Sequence, residues 1–289
     1  MSELHSDDQT AGHPNDRAVI RLRPKSKPQA IRHGFPWVFA DEAVLDRRTK
    51  ALPPGGLAVL EDAERQPLAL VTVNPVSKII ARVMDTDPGA VIDGAWLRAR
   101  LTRALQMRQR IYDEPFYRLV HAEADGLPGL VIDRFGDAAV IQPNAAWADG
   151  MAEDIADALI EVARVSTVVL NGQGRSRGLE GLAERLEVIR GAAPSGPVQV
   201  RMNGATYLAD LLGGQKTGLF FDQRPNHAFA QRLVDGGSVL DVFSHVGGFG
   251  LAALAAGADS ALCIDGSAPA LELARGGAAA MGAADRLET

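Results

Sequence analysis

The chain has 289 residues, of which 46% are hydrophobic and 23% charged, with a formal net charge of −6. That length and apolar content suit two or three domains with real cores, and the net acidity gives no general sign of a nucleic-acid partner. The single cysteine, Cys263, excludes an intramolecular disulfide, and the apolar run nearest to a membrane span, Leu251 to Ile264, is broken by Gly257 and Asp259.

Residues 1–16 are polar and acidic, without the apolar stretch of a secretory signal, and are expected to form a disordered tail on a soluble, cytoplasmic protein. From Arg17 to about Ile92 short β-branched runs (AVIRL, GLAVLED, PLALVTVN, KIIARVMD) are separated by Pro, Gly and Asn turns, which predicts a small β-rich domain over 17–92. Arg17, Arg21, Arg23, Lys25, Lys27 and Arg32 fall in a stretch without an acid, a local excess of the kind that an RNA backbone selects or that a solvated edge strand carries. The segment RHGFPWVFADEAV (Arg32 to Val44) resembles the opening helix and turn of PUA domains, which are small RNA-binding barrels. Trp37 and Phe39 read first as core packing, with base stacking as the alternative.

A central α/β region is expected over 93–195. Leu97, Leu101, Leu105 and Ile111 recur at helical spacing, with Arg98, Arg100, Arg103, Arg108 and Arg110 mostly on the opposite, solvated face. Strands with turns at Gly126, Pro128 and Gly136 follow, where Glu123 and Asp125 read as turn formers. A helix over Ala148–Ala163 and a strand over Ser166–Asn171 come next. The loop GQGRSRGLEGL (Gly172 to Leu182) lacks the Lys-Ser/Thr ending of a P-loop and reads as a flexible connection, with Arg175 and Arg177 as optional RNA contacts.

The last region, 196–289, opens with a hairpin at Asn203-Gly204, since both central positions of a type I′ turn need positive φ. A strand, Ser238–Phe243, then runs through the glycine turn Gly247, Gly248, Gly250 into a helix from Phe249 to Ala256, and a second strand, Ala261–Ile264, ends on Asp265. This is the opening βαβ unit of a Rossmann-like sheet, with Asp265 placed to accept ribose hydroxyl protons. The turn is not G-x-G-x-x-G, and Asp241 inside the strand repels a pyrophosphate but suits the positively charged amino acid end of S-adenosylmethionine, so a methyl donor is favoured over a dinucleotide.

The pair QKTGLFFDQR (Gln215 to Arg224) and VLDVFSHVGGFG (Val239 to Gly250) resembles the large-subunit ribosomal RNA cytosine-C5 methyltransferase family, whose pattern is close to QKTGxxxDQR, then VLxxFSYTGGF, then an acid ending the next strand. His245 and Val246 replace the family's usual Tyr-Thr, which puts any hydroxyl contact there in doubt. The resemblance implies an N-terminal PUA-like β-barrel, a central α/β domain and the first half of a class I methyltransferase fold. It implies S-adenosyl-L-methionine held by Gln215, Lys216, Thr217, Phe221, Asp222, Arg224, Asp241, Phe243, Ser244, Gly247, Gly248 and Asp265, with Asp222 and Arg224 at the donor's amino acid end. Phe220 or Phe221 flanks the adenine or the target base unless it turns into the core, and Asp222 read alone is a helix N-cap. Ribosomal RNA is the implied partner, contacted by Arg21, Arg23, Lys25, Lys27 and Arg32. A homodimer is compatible with the sequence; no membrane partner and no metal is expected.

The same family adds a cysteine thiolate to C6 of the base, and its members continue with an acid-Pro-Pro segment and that cysteine. Cys263 lies inside a strand expected to be buried and is a poor nucleophile. The expectation is therefore a C-terminally truncated chain without its catalytic cysteine region, inactive alone, whose first strand keeps an open edge. The rival readings are a non-catalytic RNA-binding protein with a vestigial fold and a dinucleotide-dependent oxidoreductase.

Overall fold

The computed structural model describes residues 17–214 and 218–289. Its first unit contains β1 (Ala18–Arg21), α1 (Pro28–Arg32), β2 (Trp37–Phe39), α2 (Arg47–Lys50), β3 (Gly56–Glu61), β4 (Pro67–Val73) and β5 (Ile79–Asp85). The strands form one sheet in the order β1-β3-β4-β5-β2, with β1 parallel to β3 and the other pairs antiparallel. A bridge between Leu22 and Ala43 joins the two edges, so the sheet closes on a core that includes Ile20, Val38, Leu60, Val71 and Ile80. Closure removes two edges that would otherwise carry unpaired backbone groups.

The second unit begins with α3 (Gly94–Gln109), capped by Asp93 through its side chain. It continues with β6 (Phe116–His121), β7 (Leu130–Phe135), β8 (Ala138–Pro143), α4 (Ala146–Gly150), α5 (Ala152–Ala163), β9 (Thr167–Asn171), α6 (Arg175–Leu179) and β10 (Leu186–Arg190). The sheet order is β10-β9-β8-β7-β6. One face packs on α3 and α5 through Leu97, Leu101, Ile155 and Leu159. The helix expected over 148–163 is two helices broken at Met151, and β10 has no counterpart among the expected strands.

The Gly172–Leu182 segment is a correction. It is not a loose connection but a clamp: Arg177, 1% exposed, donates to Pro143 O, Ala183 O and Asp149, and the buried Glu180 accepts from Asn74, Ser77 and Arg82 of the first unit. Carboxylates likewise engage the expected solvated arginines of α3, Arg98 with Glu161, Arg100 with Asp85 and Arg108 with Asp125.

The third unit contains β11 (Val198–Met202), β12 (Ala205–Ala209), α7 (Arg224–Gln231), β13 (Ser238–Val242), α8 (Gly248–Ala255), β14 (Ser260–Ile264), α9 (Ala268–Ala280) and β15 (Leu287–Glu288). Asn203 and Gly204 both take positive φ in the β11–β12 turn, as its Asn-Gly pair requires. Strands β13, β14 and β15 are parallel in that order, with Asp241 opposite Cys263. The other face of the central sheet, through Phe116, Phe135, Val140 and Val169, shares a core with Val200, Tyr207 and Phe221 of this unit. Among the described residues β13 is an edge strand. Leu240 and Val242 on its outer face are exposed, as is Ile264 on β14. No helix of the described residues is long and apolar enough to cross a membrane.

Candidate functional site

After Val242 the chain turns through Phe243, His245 and Gly247, all at positive φ (61°, 52° and 76°). Two are not glycine, and each such residue costs on the order of 1 kcal/mol in backbone strain, so the turn must be held. Backbone N–H groups hold it: Ser244 N donates to Ile264 O (3.1 Å), Gly247 N and Gly248 N to Ser244 O (2.9 and 3.2 Å), and His245 N to the side-chain Oδ2 of Asp265 (2.8 Å).

Asp265 directly follows β14 and accepts a second backbone bond on Oδ1, from Ser267 N (2.8 Å). These two bonds, His245 first, hold its carboxyl below the usual carboxylate range. The carboxylate lines a hollow of about 550 Å³ together with His245, the loop of Asp210, Gly213, Gly214 and Gly218, and Ser267, Pro269 and Leu273 at the start of α9. An anion fixed at a strand tip suits a pair of vicinal hydroxyls, and the apolar Pro269 and Leu273 suit a flat ring. The buried Ser244 hydroxyl has no well-formed hydrogen bond, only the Cys263 thiol interacting with it, so the turn holds an unfilled polar group.

Asp241 is elsewhere. Its Oδ2 accepts from Phe249 N (3.1 Å) and Gly250 N (2.9 Å), so it caps the first turn of α8 from beneath. It is 5% exposed and does not line the hollow, and burial raises its pKa. The expectation that Asp241 and Asp265 share one cavity is corrected by strand alternation: Asp241 falls on the helix-covered side of β13.

The glycines are also reassigned. A Cβ on Gly248 would lie 2.7 Å from His227 Nε2 and one on Gly250 2.6 Å from Cys263 Sγ, so these two permit close packing of α8, and only Gly247 serves the turn by its φ. The glycines on the hollow are Gly213, Gly214, Gly218 and Gly266.

The remaining sequence candidates separate. Gln215, Lys216 and Thr217 lie outside the described residues. Phe221 is in the shared core against Phe135 (ring centroids 5.1 Å apart), Phe220 packs on the His245 ring, and Phe243 stands 89% exposed at the strand tip. Asp222 and Arg224 line a different hollow of about 410 Å³ with Tyr112, Tyr117 and Arg118. There the Arg224 guanidinium lies 4.1 Å from the Tyr112 ring centroid and donates to Phe116 O (2.7 Å), which fastens this unit to β6. Asp222 and Arg224 therefore do not line the hollow of Asp265.

Two buried groups are chemically quiet. His227, 4% exposed and packed on Tyr207 and Phe249, is pushed down to about 4 by burial and is neutral at pH 7. Cys263, fully buried, is pushed up to about 11, which keeps its thiol protonated.

In the first unit Arg21 pairs with Glu61 (3.0 Å), Arg32 with Asp62 (3.1 Å), and Arg23 donates to Ala43 O, while Lys25 and Lys27 are exposed. Phe39 is exposed rather than core. Trp37 is half-buried between Phe35 and Phe39 and donates to Glu123 Oε1 (2.8 Å).

Residues 185–284 match the family described as S-adenosylmethionine-dependent methyltransferase. Residues 20–86 match a PUA-like domain. The chain is 34% identical over 254 residues to ribosomal RNA large subunit methyltransferase I of Aliivibrio fischeri, covering 87% of this chain and 64% of that protein. It is 36% identical over 259 residues to the protein of the same name in Photobacterium profundum, with 87% and 64% covered. It therefore spans just under two thirds of the length of these relatives. Among solved structures, a candidate SAM-dependent methyltransferase from Streptococcus mutans superposes with a TM-score of 0.77 at 16% identity, covering 94% of this chain and 69% of the other. A further methyltransferase structure, SMU.776, described with SAH bound, gives 0.75 at 16% identity, with 94% and 68% covered. The fold is thus an N-terminal PUA-like sheet domain joined to a Rossmann-like methyltransferase fold.

Sequence reasoning named Gln215, Lys216 and Thr217 in this segment but not Asp210, Gly213, Gly214 and Gly218, which line the hollow. The signal was present: Asp210-Leu-Leu-Gly-Gly is an Asx turn, in which Asp210 Oδ1 accepts from Leu212 N and Gly213 N. Ser267, with proline two residues on, was a legible N-cap, and it caps α9.

Proposed function

We propose that the chain binds S-adenosyl-L-methionine in the Asp265 hollow and acts in methylation of large-subunit ribosomal RNA, at cytosine C5. In this reading residues 17–92 form the RNA-binding part, 93–195 the bridge and 196–289 the donor-binding part. The observation that carries it is Asp265: an acid at the tip of the second parallel strand, fixed by two backbone bonds and facing a hollow of nucleoside size, within the segment that matches the methyltransferase family. The names of the relatives support ribosomal RNA as the substrate.

When bound, the donor supplies a methyl group on a positively charged sulfur. Asp265 accepts the ribose hydroxyl protons, and Pro269 and Leu273 exclude water from the base. Strand β14 and the turn before α8 fix Asp265 against His245 N, so no side-chain search precedes binding. Attack at C5 needs a thiolate on C6, and a fully buried thiol raised to about 11 does not supply it, so Cys263 has a packing role in this scheme.

Titration calorimetry of the chain with S-adenosylmethionine, S-adenosylhomocysteine and NAD tests the donor. Heat with the first two and none with NAD is expected; heat with NAD alone overturns the reading. Mass spectrometry of ribosomal RNA from cells with and without the gene tests the base: the loss of one 5-methylcytidine is expected, and the loss of a methylated guanine instead would overturn the cytosine assignment.

A further inference from the structure

Arg17, Arg48 and Arg65 are far apart in sequence: ahead of β1, in α2, and in the turn between β3 and β4. Closure of the first sheet brings them to one hollow of about 580 Å³, which Arg21, Asp46 and Thr49 also line. The charges there are uneven. Arg21 is paired with Glu61, and Asp46, which caps α2 by accepting from Thr49 N (2.8 Å), keeps its charge beside Arg48, so three guanidinium groups outside ion pairs face one carboxylate. Arg17 turns its guanidinium to two carbonyls, Pro88 O (2.9 Å) and Ala90 O (2.8 Å), which orient it without neutralising it. Among the described residues no carboxylate forms an ion pair with Arg17, Arg48 or Arg65.

Arg65 adds a second, independent observation. It has φ +64°, a conformation that glycine adopts more easily, and Asp62 builds the turn that holds it there by accepting from Glu64 N and Gln66 N. A strained arginine thus points its charge at a hollow where it has no partner.

We propose that this hollow binds phosphodiester groups of an RNA strand, so that the first sheet holds RNA by its backbone at Arg17, Arg48 and Arg65. This rests on the RNA reading given above. Planar guanidinium forks match phosphate oxygens, and several around one concavity favour a ligand with repeated negative charge. Among the described residues no aromatic side chain lines the hollow, so the site reads the backbone and binding there is indifferent to sequence. The rest of the run that looked basic in sequence, Arg21 to Arg32, is a weaker candidate, because Arg21 pairs with Glu61 and Arg32 with Asp62.

Fluorescence anisotropy of the whole chain with a labelled, unstructured single-stranded RNA, across a salt series, tests this. Arg48→Gln with Arg65→Gln should weaken binding about tenfold and reduce the slope of log affinity against log salt by about 1.4, roughly 0.7 for each phosphate no longer neutralised. Arg48→Lys with Arg65→Lys should restore the slope, because the charges return. Arg103→Gln with Arg232→Gln, both exposed and outside the first unit, should change affinity less than about twofold. Should the double glutamine variant lower the melting temperature, Arg48→Gln alone replaces it, with half the change in slope. Wild-type binding that is unchanged in the glutamine variants overturns the hollow and leaves the RNA reading standing. Inorganic phosphate bound in the hollow without competing with RNA overturns it too, as a small-anion site. A wild-type chain that binds no RNA at all removes the RNA reading itself.

Discussion

The first two units and the parallel strands of the third hold their acids in opposite ways. In the former, acids meet guanidinium groups: Glu180 with Arg82, Asp125 with Arg108, Asp133 with Arg118 and Asp149 with Arg177. In the latter, Asp241 and Asp265 are held by main-chain N–H groups alone among the described residues. A guanidinium cancels the charge it fixes; a backbone amide fixes a carboxylate and leaves its charge available. The paired region supplies rigidity, and the amide-held acid at the hollow keeps a charge for a ligand.

The largest test breaks a paired acid. Glu180→Ala strands the buried Arg82 guanidinium, and urea denaturation should show a loss of about 3–5 kcal/mol; a loss under about 1 kcal/mol would mean that the clamp is ornamental. Asp265→Ala should weaken S-adenosylmethionine binding by about 1–3 kcal/mol in calorimetry and, because His245 N and Ser267 N lose their acceptor, cost about 1 kcal/mol in denaturation. Next in size is a pH effect. His227 is held near 4 in the fold against about 6.5 in an unfolded chain, so below pH 6.5 the unfolded state takes up a proton that the folded state refuses. Stability should therefore fall by on the order of 2 kcal/mol between pH 6.5 and 4 and level off below, and His227→Phe should flatten that segment. Gly250→Ala presses a methyl group toward Cys263 Sγ and should cost about 1–2 kcal/mol, partly recovered in the double variant with Cys263→Ala. The smallest effect is expected at Arg190, whose partners Glu153 and Asp157 are exposed: Arg190→Gln should stay within about 0.5 kcal/mol.

The elements of the third unit were legible because their punctuation is local: Asn-Gly for a hairpin, a glycine turn before α8, an acid after β14. Asp265 could be placed from that punctuation alone. Asp241 could not, since a strand residue's chemistry depends on which face the neighbouring helix covers, and that is settled by packing. The clamp was illegible for the same reason. Arg177 and Glu180 sit in a Gly-rich stretch that reads as solvent-facing, and their partners lie as much as 106 residues away in sequence. The QKTGLFFDQR motif located the segment of Asp222 and Arg224, but that their side chains line a hollow with Tyr112 and Arg118 follows from packing between units and was not legible.

The bond from Trp37 to Glu123 and the seat of Glu180 in the first unit have a mechanical consequence. They turn the molecule into a caliper whose jaws, the arginine hollow and the Asp265 hollow, stand at a gap set by packed protein instead of a slack tether. Any ligand long enough to touch both hollows must match that fixed gap.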